Sequence, residues 1–230
     1  MSERALSPDE AMGLSAGADH YRAYVGPPER FGLLSLSQIA LLFQLGLRET
    51  DYILDVGCGS LRLGRLLIPF LREGRYFGIE PHDWLVEEGF ARELGADARV
   101  LKQPSFCTDD SFTCTVFGRL FDFIMAQSII THSGRAQTER LFETAAQALA
   151  PGGLFLVSYV PGAPGTAPPE TAWTYPQNVA CAPDWLAALA TRCGLEWRDL
   201  AWRHPGAQWG VAGRALPDRF DFADGRWRDR

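Results

Sequence analysis

The sequence predicts an α/β protein: a doubly wound, mostly parallel seven-stranded sheet that ends in a C-terminal antiparallel hairpin. Three observations predict it. Short apolar runs alternate with longer runs of helical period across residues 33–193, the pattern of successive βαβ units. The first short run, 52–56, is apolar except at its tip, as in a parallel strand covered on both faces. Two final runs, 196–203 and 208–214, flank His204-Pro205-Gly206, which signals a hairpin.

The elements follow in order. Residues 1–28 form a polar arm that closes on Gly26-Pro27-Pro28 and is a candidate lid. A leucine-dense stretch with Ile39, Ala40 and Phe43 predicts a buried helix over 33–47, breaking near Gly46. Strand one covers 52–56, and a helix covers 61–72. Strand two covers 75–80, and the next helix covers 83–94, with Trp84, Leu85, Phe90 and Leu94 apolar. Ala98-Arg99-Val100-Leu101 predicts a short third strand, and 103–119 an irregular loop. Strand four covers 121–126. A helix over 135–150 stops at Pro151-Gly152-Gly153, and strand five covers 154–160. The proline-rich segment 161–183 carries Trp173 and Tyr175 and is too long for an ordinary connection, which marks a lid or substrate loop. A helix over 184–193 precedes the hairpin. The main domain is expected over 29–216, with 217–230 as a charged tail of alternating arginine and aspartate.

Composition narrows the function. A chain of 230 residues suits one well-buried α/β domain with short additions. The net charge of −6, with no lysine/arginine run, argues against a nucleic-acid footprint. The five cysteines contain no C-x-x-C pair, which argues against a disulfide framework and a structural zinc site, so no metal is expected. No run has the length of a membrane span, and Met1-Ser2-Glu3-Arg4 opens no apolar leader. The expectation is a cytoplasmic protein with no membrane partner, monomeric or homodimeric.

The most informative stretch is Asp55-Val56-Gly57-Cys58-Gly59, with Glu80 twenty-five residues after Asp55. Gly57 and Gly59 stand where strand one turns into its helix, where glycine lets a ligand approach the backbone. Gly57-Cys58-Gly59-Ser60-Leu61-Arg62 holds two of the three glycines of the dinucleotide fingerprint. Asp55 just before the first glycine would repel a pyrophosphate. It can instead accept hydrogen bonds from the ammonium end of an amino acid. Glu80, at the tip of strand two, can accept both hydroxyls of a ribose. An adenosine joined to a cationic amino acid satisfies both carboxylates, and S-adenosylmethionine is that molecule.

Here the chain resembles the class I S-adenosylmethionine-dependent methyltransferases over about 33–215. Asp55 to Gly59 is similar to their first motif and Glu80 to the ribose-binding acid of the second. Residues 121–128, ending in Gln127-Ser128, resemble the fourth-strand motif, and Leu149-Ala150-Pro151-Gly152-Gly153 resembles the turn before strand five. The continuation Ser60-Leu61-Arg62 departs from the family pattern, which has a glycine at position 61. The resemblance implies S-adenosylmethionine as cofactor, held by Asp55, Gly57, Cys58, Gly59 and Glu80. Pro81 and Phe106 are placed near the adenine, and Gln127 and Ser128 beside the sulfonium. Arg62 is a candidate partner for the methionine carboxylate, with a solvated arginine as the alternative.

Methyl transfer from a sulfonium is an in-line displacement that needs alignment and exclusion of water. A hydroxyl or amine acceptor gains from a general base, and His132, just after strand four, is the candidate. The alternative for His132 is bracing of the helix at 135. Tyr21 and Tyr24 in the arm, Tyr159 on strand five, and Trp173 and Tyr175 in the proline-rich segment are the candidate walls of an acceptor pocket. The leading expectation is methylation of an O or N atom of a small molecule, in a biosynthetic setting. The alternatives are a peptide or protein acceptor, or a non-catalytic partner that keeps the fold. A nicotinamide oxidoreductase is disfavoured by Asp55.

Overall fold

The computed structural model describes residues 2–216, and the expected charged tail at 217–230 lies outside them. In chain order the main elements are α1 (Phe31–Gln44), β1 (Ile53–Val56), α2 (Gly64–Phe70), β2 (Tyr76–Ile79), α3 (Asp83–Gly89), α4 (Ala96–Lys102), β3 (Ser105–Cys107), β4 (Phe121–Ala126), α5 (Arg135–Ala148), β5 (Leu149–Pro161), β6 (Ala180–Cys181), α6 (Pro183–Arg192), β7 (Glu196–His204) and β8 (Ala207–Gly213). The order is that of an α/β protein whose last two strands form the expected hairpin. The chain forms two compact units, one of residues 2–51 and 57–110, the other of 52–56 and 111–216.

In the first unit β2 and β3 pair in parallel, with Phe77 opposite Ser105 and Ile79 opposite Cys107. The apolar face of α1 (Leu34, Leu41, Leu42) is buried, as are Leu67, Ile68, Leu85 and Phe90 of the other helical segments. One expectation is corrected here. Residues 98–101 are not a strand but the body of α4, with Val100 and Leu101 exposed. A four-residue apolar run does not distinguish strand from helix by periodicity. The helix ends at Gln103, in the left-handed conformation before Pro104, and the third strand follows at Ser105–Cys107.

In the second unit β1 and β4 pair in parallel, as do β4 and β5. Antiparallel pairings then join β5 to β8 and β8 to β7. The inner strands are buried along their length: Ile124, Met125, Phe155 and Leu156 are inaccessible. Phe142 of α5 meets Phe155 edge-on at 5.1 Å. The proline-rich segment contributes the two-residue β6, which adds to β5 with Val160 opposite Ala180 and was not anticipated.

Candidate active site

The glycine turn is tied to the end of β2. The backbone N–H groups of Gly57 and Cys58 both donate to the Ile79 carbonyl, at 2.8 and 3.1 Å. Gly57 and Gly59 have φ of 68° and 54°, the left-handed region that favours glycine. A Cβ on Gly59 would lie 2.6 Å from Val25 Cγ1. Glu80 is buried, with one carboxylate oxygen accepting from Gly59 N and the other from His82 N, each at 3.0 Å. Burial raises this carboxyl above its ordinary range, and the two backbone donors oppose the rise. Each oxygen keeps a second lone pair, so a fixed carboxylate can still accept from two neighbouring hydroxyls. Beside it lies a cavity of about 200 Å³ lined by Glu80, Val86, Arg99, Phe106 and Cys107. The Phe106 ring stands against Tyr76 and Phe90, and Pro81 is exposed after the turn.

Leu61 resolves its own departure from the family pattern. It has φ 59°, so it keeps the backbone shape a glycine would supply. Its side chain is fully buried beside Gly89, where an added Cβ would lie 2.9 Å from Leu61 Cγ. Left-handed strain of about 1–2 kcal/mol is thus set against burial worth about 1.5–3 kcal/mol. The adjacent Arg62 is not a solvated side chain: its Nη1 donates to the Val25 carbonyl at 2.7 Å.

The arm lies within this first unit. Tyr24 Oη is 3.0 Å from His82 Nε2, and its ring stands edge-on to Trp84. Burial and the nearby Glu80 charge raise its phenol. Tyr21 is placed differently: it is 1% exposed and donates to Glu93 at 2.8 Å, and burial lifts its phenol to about 12. It belongs to the core rather than to a pocket wall.

In the second unit Asp55, the penultimate residue of β1, stands opposite Met125 and is buried. Gln127 and Ser128 leave β4 together. Ser128 has φ 59°, and its N–H donates to Ser158 Oγ at 2.7 Å. Gln127 Nε2 lies 2.5 Å from Ser128 Oγ and 3.2 Å from His204 Nε2. An amide nitrogen only donates, so the Gln127 amide clasps both neighbours. His204, read from sequence only as a hairpin-turn residue, is therefore brought to the tip of β4. No local signal announces this, since the contact depends on hairpin length.

His132 is 7% exposed, and its Nδ1 lies 2.8 Å from the Gln177 carbonyl. A carbonyl only accepts, so Nδ1 carries the proton and Nε2 is the basic nitrogen. Burial lowers the imidazole below its ordinary value, keeping it neutral near pH 7. Trp173 and Tyr175 stand edge-on to the ring at 5.6 and 4.8 Å. The proline-rich segment is stapled here by its backbone. Thr174 N donates to the His132 carbonyl and Val179 N to the Thr131 carbonyl. Tyr159 lies apart, fully buried and donating to Asp199 at 2.7 Å, so it is a core residue rather than an acceptor wall.

Residues 53–153 match a family model described as a methyltransferase domain. The match covers 101 of the 230 residues. On that match the protein is read as an enzyme. No curated protein sequence matches it. Solved structures share its fold at low identity. Magnesium protoporphyrin IX methyltransferase (ChlM) from Synechocystis PCC 6803, crystallised with S-adenosylmethionine, is 15% identical, with 82% of this chain and 81% of that chain covered and a TM-score of 0.62. The CcbJ methyltransferase from Streptomyces caelestis is 14% identical, with coverage of 83% and 92% and a TM-score of 0.60. The glycopeptide N-methyltransferase MtfA is 14% identical, with coverage of 79% and 90% and a TM-score of 0.59. Among the described residues no helix is long and apolar enough to cross a membrane, and no cluster of His, Cys, Asp and Glu could hold a metal ion.

Proposed function

We propose that the methyltransferase acts on an O or N atom of a small molecule bearing an exchangeable proton, with His132 as general base. The observation that carries this reading is the state of His132: buried, neutral, with Nδ1–H committed to the Gln177 carbonyl and Nε2 as the lone-pair nitrogen. Such an imidazole takes a proton from a hydroxyl or ammonium near neutral pH. A carboxylate acceptor would need no base. The Trp173 and Tyr175 rings beside His132 suit a flat or apolar acceptor. Two fold neighbours are named for a porphyrin and for a glycopeptide, which supports an acceptor of that scale without choosing one.

When bound, S-adenosylmethionine supplies an electrophilic methyl group on a sulfonium. The residues of the glycine turn fit it: Glu80 is preset to accept two ribose hydroxyls, and Gly57 and Gly59 leave the backbone open to approach. In this reading Asp55 accepts from the ammonium of the amino-acid part, Phe106 lines the adenine cavity, and Gln127 and Ser128 position the reacting end. Residues 161–183 act as the acceptor loop and 2–28 as the cover of the donor turn. The protein works in the cytoplasm as a monomer or homodimer.

The test is a screen of hydroxyl- and amine-bearing metabolites with methyl-labelled S-adenosylmethionine. We expect labelled product from at least one. The reading fails if only peptides or proteins take up label.

A further inference from the structure

We propose that Thr174 is a positioning residue for His132: its hydroxyl holds the Gln177 carbonyl where that carbonyl receives the Nδ1 proton, and so fixes which ring nitrogen is basic. The inference deepens the reading of His132 as general base, and its bearing on turnover rests on that reading.

A neutral imidazole can carry its proton on either nitrogen, and only the tautomer with Nδ1–H leaves a lone pair on Nε2. The Gln177 carbonyl selects that tautomer from 2.8 Å. The lone pair that the other tautomer carries on Nδ1 would be repelled by the same oxygen. The carbonyl itself sits on an open stretch, since Pro176, Gln177 and Asn178 are all exposed. Side-chain packing does little to hold such a peptide, so polar contacts must.

Those contacts converge on Thr174, which is half-buried. Its N–H donates to the His132 carbonyl at 2.9 Å, and its own carbonyl accepts from Gln177 N at 2.9 Å. Its Oγ1 lies 3.1 Å from the His132 carbonyl and 3.1 Å from the Gln177 carbonyl. A hydroxyl carries one proton, so the two carbonyls share it as a three-centre bond. One side chain thus grips both the backbone of the base and the group that orients its ring. The backbone ties at Thr174 N and Val179 N fix the ends of the turn, to His132 and Thr131, rather than the direction of the Gln177 carbonyl. Removing the hydroxyl leaves that carbonyl free to turn toward water. The imidazole then loses the contact that sets its tautomer, and a fraction of molecules carry the proton on Nε2. Support of this kind is what holds a reacting group in its productive form.

The test reads the tautomer directly in the full chain, with no ligand. Nitrogen-15 spectra of histidine-labelled protein distinguish a protonated ring nitrogen from one with a lone pair. They are taken at about pH 8, above the ordinary imidazole value. The chain has four histidines, and the His132 signals are those missing from His132→Gln. We expect a protonated Nδ1 and a lone-pair Nε2 in the wild type, and averaged nitrogens in Thr174→Val. Thr174→Ser keeps the hydroxyl and should restore the wild-type pattern. Thr174→Ala takes the place of the valine variant if that variant does not fold. Turnover on an acceptor found with the labelled donor should fall about two- to tenfold in Thr174→Val, the effect of one net hydrogen bond, with KM kept. An unchanged tautomer without the hydroxyl, or a serine variant that behaves like valine, overturns the positioning role. A shifted tautomer with unchanged turnover upholds that role and overturns His132 as the base.

Discussion

The donor turn and the His132 loop are built on opposite plans. The donor turn is local: Gly57, Cys58 and Gly59 take their shape from glycine φ angles and from the end of β2 some twenty residues on. The His132 loop is assembled from afar, with Gln177 fixing the imidazole, Thr174 and Val179 holding its backbone, and Trp173 and Tyr175 walling it. The difference teaches where variation is tolerated. The donor is one molecule, so a short motif can encode its site. An acceptor site can be rebuilt by changing a loop while the sheet beneath is untouched.

The largest expected effect separates the two regions. His132→Ala should lower turnover on the screened acceptor by about 10²–10⁴-fold, with S-adenosylhomocysteine affinity by calorimetry nearly unchanged. Unchanged turnover would make His132 a brace only. The converse variant, Glu80→Ala, removes two charge-assisted hydrogen bonds and should cost about 3 kcal/mol of donor affinity, roughly 100-fold. It should leave the Gln177–His132 contact intact.

A steric test comes next. A Cβ on Gly134 would lie 1.7 Å from the Thr171 carbonyl oxygen. Gly134→Ala should therefore displace the proline-rich loop, costing about 1–3 kcal/mol in thermal or urea unfolding, while donor affinity is kept. Loss of donor affinity in this variant would show that the two regions are not separable.

The pH response differs as well. Glu80 is raised by burial, and ribose hydroxyls favour its ionised form. Donor affinity should be full above that raised value and fall as pH drops through it, earlier than for an ordinary carboxyl near 4.3. The stability contribution has the opposite sign, because the folded state holds this proton more tightly than the unfolded chain does. His132 is lowered, so its stability contribution and its competence as a base are both present above the ordinary imidazole value of about 6.5. Both are lost as pH falls through the depressed value. Calorimetric titration with S-adenosylhomocysteine across pH 4–8 checks the first statement, and the acid limb of turnover checks the second.

The smallest effect concerns Leu61. Leu61→Gly exchanges left-handed strain for lost burial, and the net change should be about 1 kcal/mol or less. Leu61→Val, stiff at Cβ and forced to positive φ, should cost more. Equal unfolding midpoints for the two variants would remove the strain argument.

The sequence by itself determined what short-range chemistry dictates. The alternation of runs required an α/β sheet. The closing His204-Pro205-Gly206 turn required an antiparallel pair. Asp55, the two glycines and Glu80 pointed to a donor that is an adenosine without phosphates, as an expectation. Two failures show the limit of local pattern. Residues 98–101 became α4 because a four-residue apolar run carries no period, and Leu61 kept a glycine's backbone that composition did not reveal. Only the tertiary structure decided which nitrogen of His132 is basic, that His204 reaches Gln127, and that Tyr21 and Tyr159 are core residues tied to carboxylates. These are contacts between segments tens of residues apart. They are fixed by how the chain packs, and sequence spacing carries no record of that geometry.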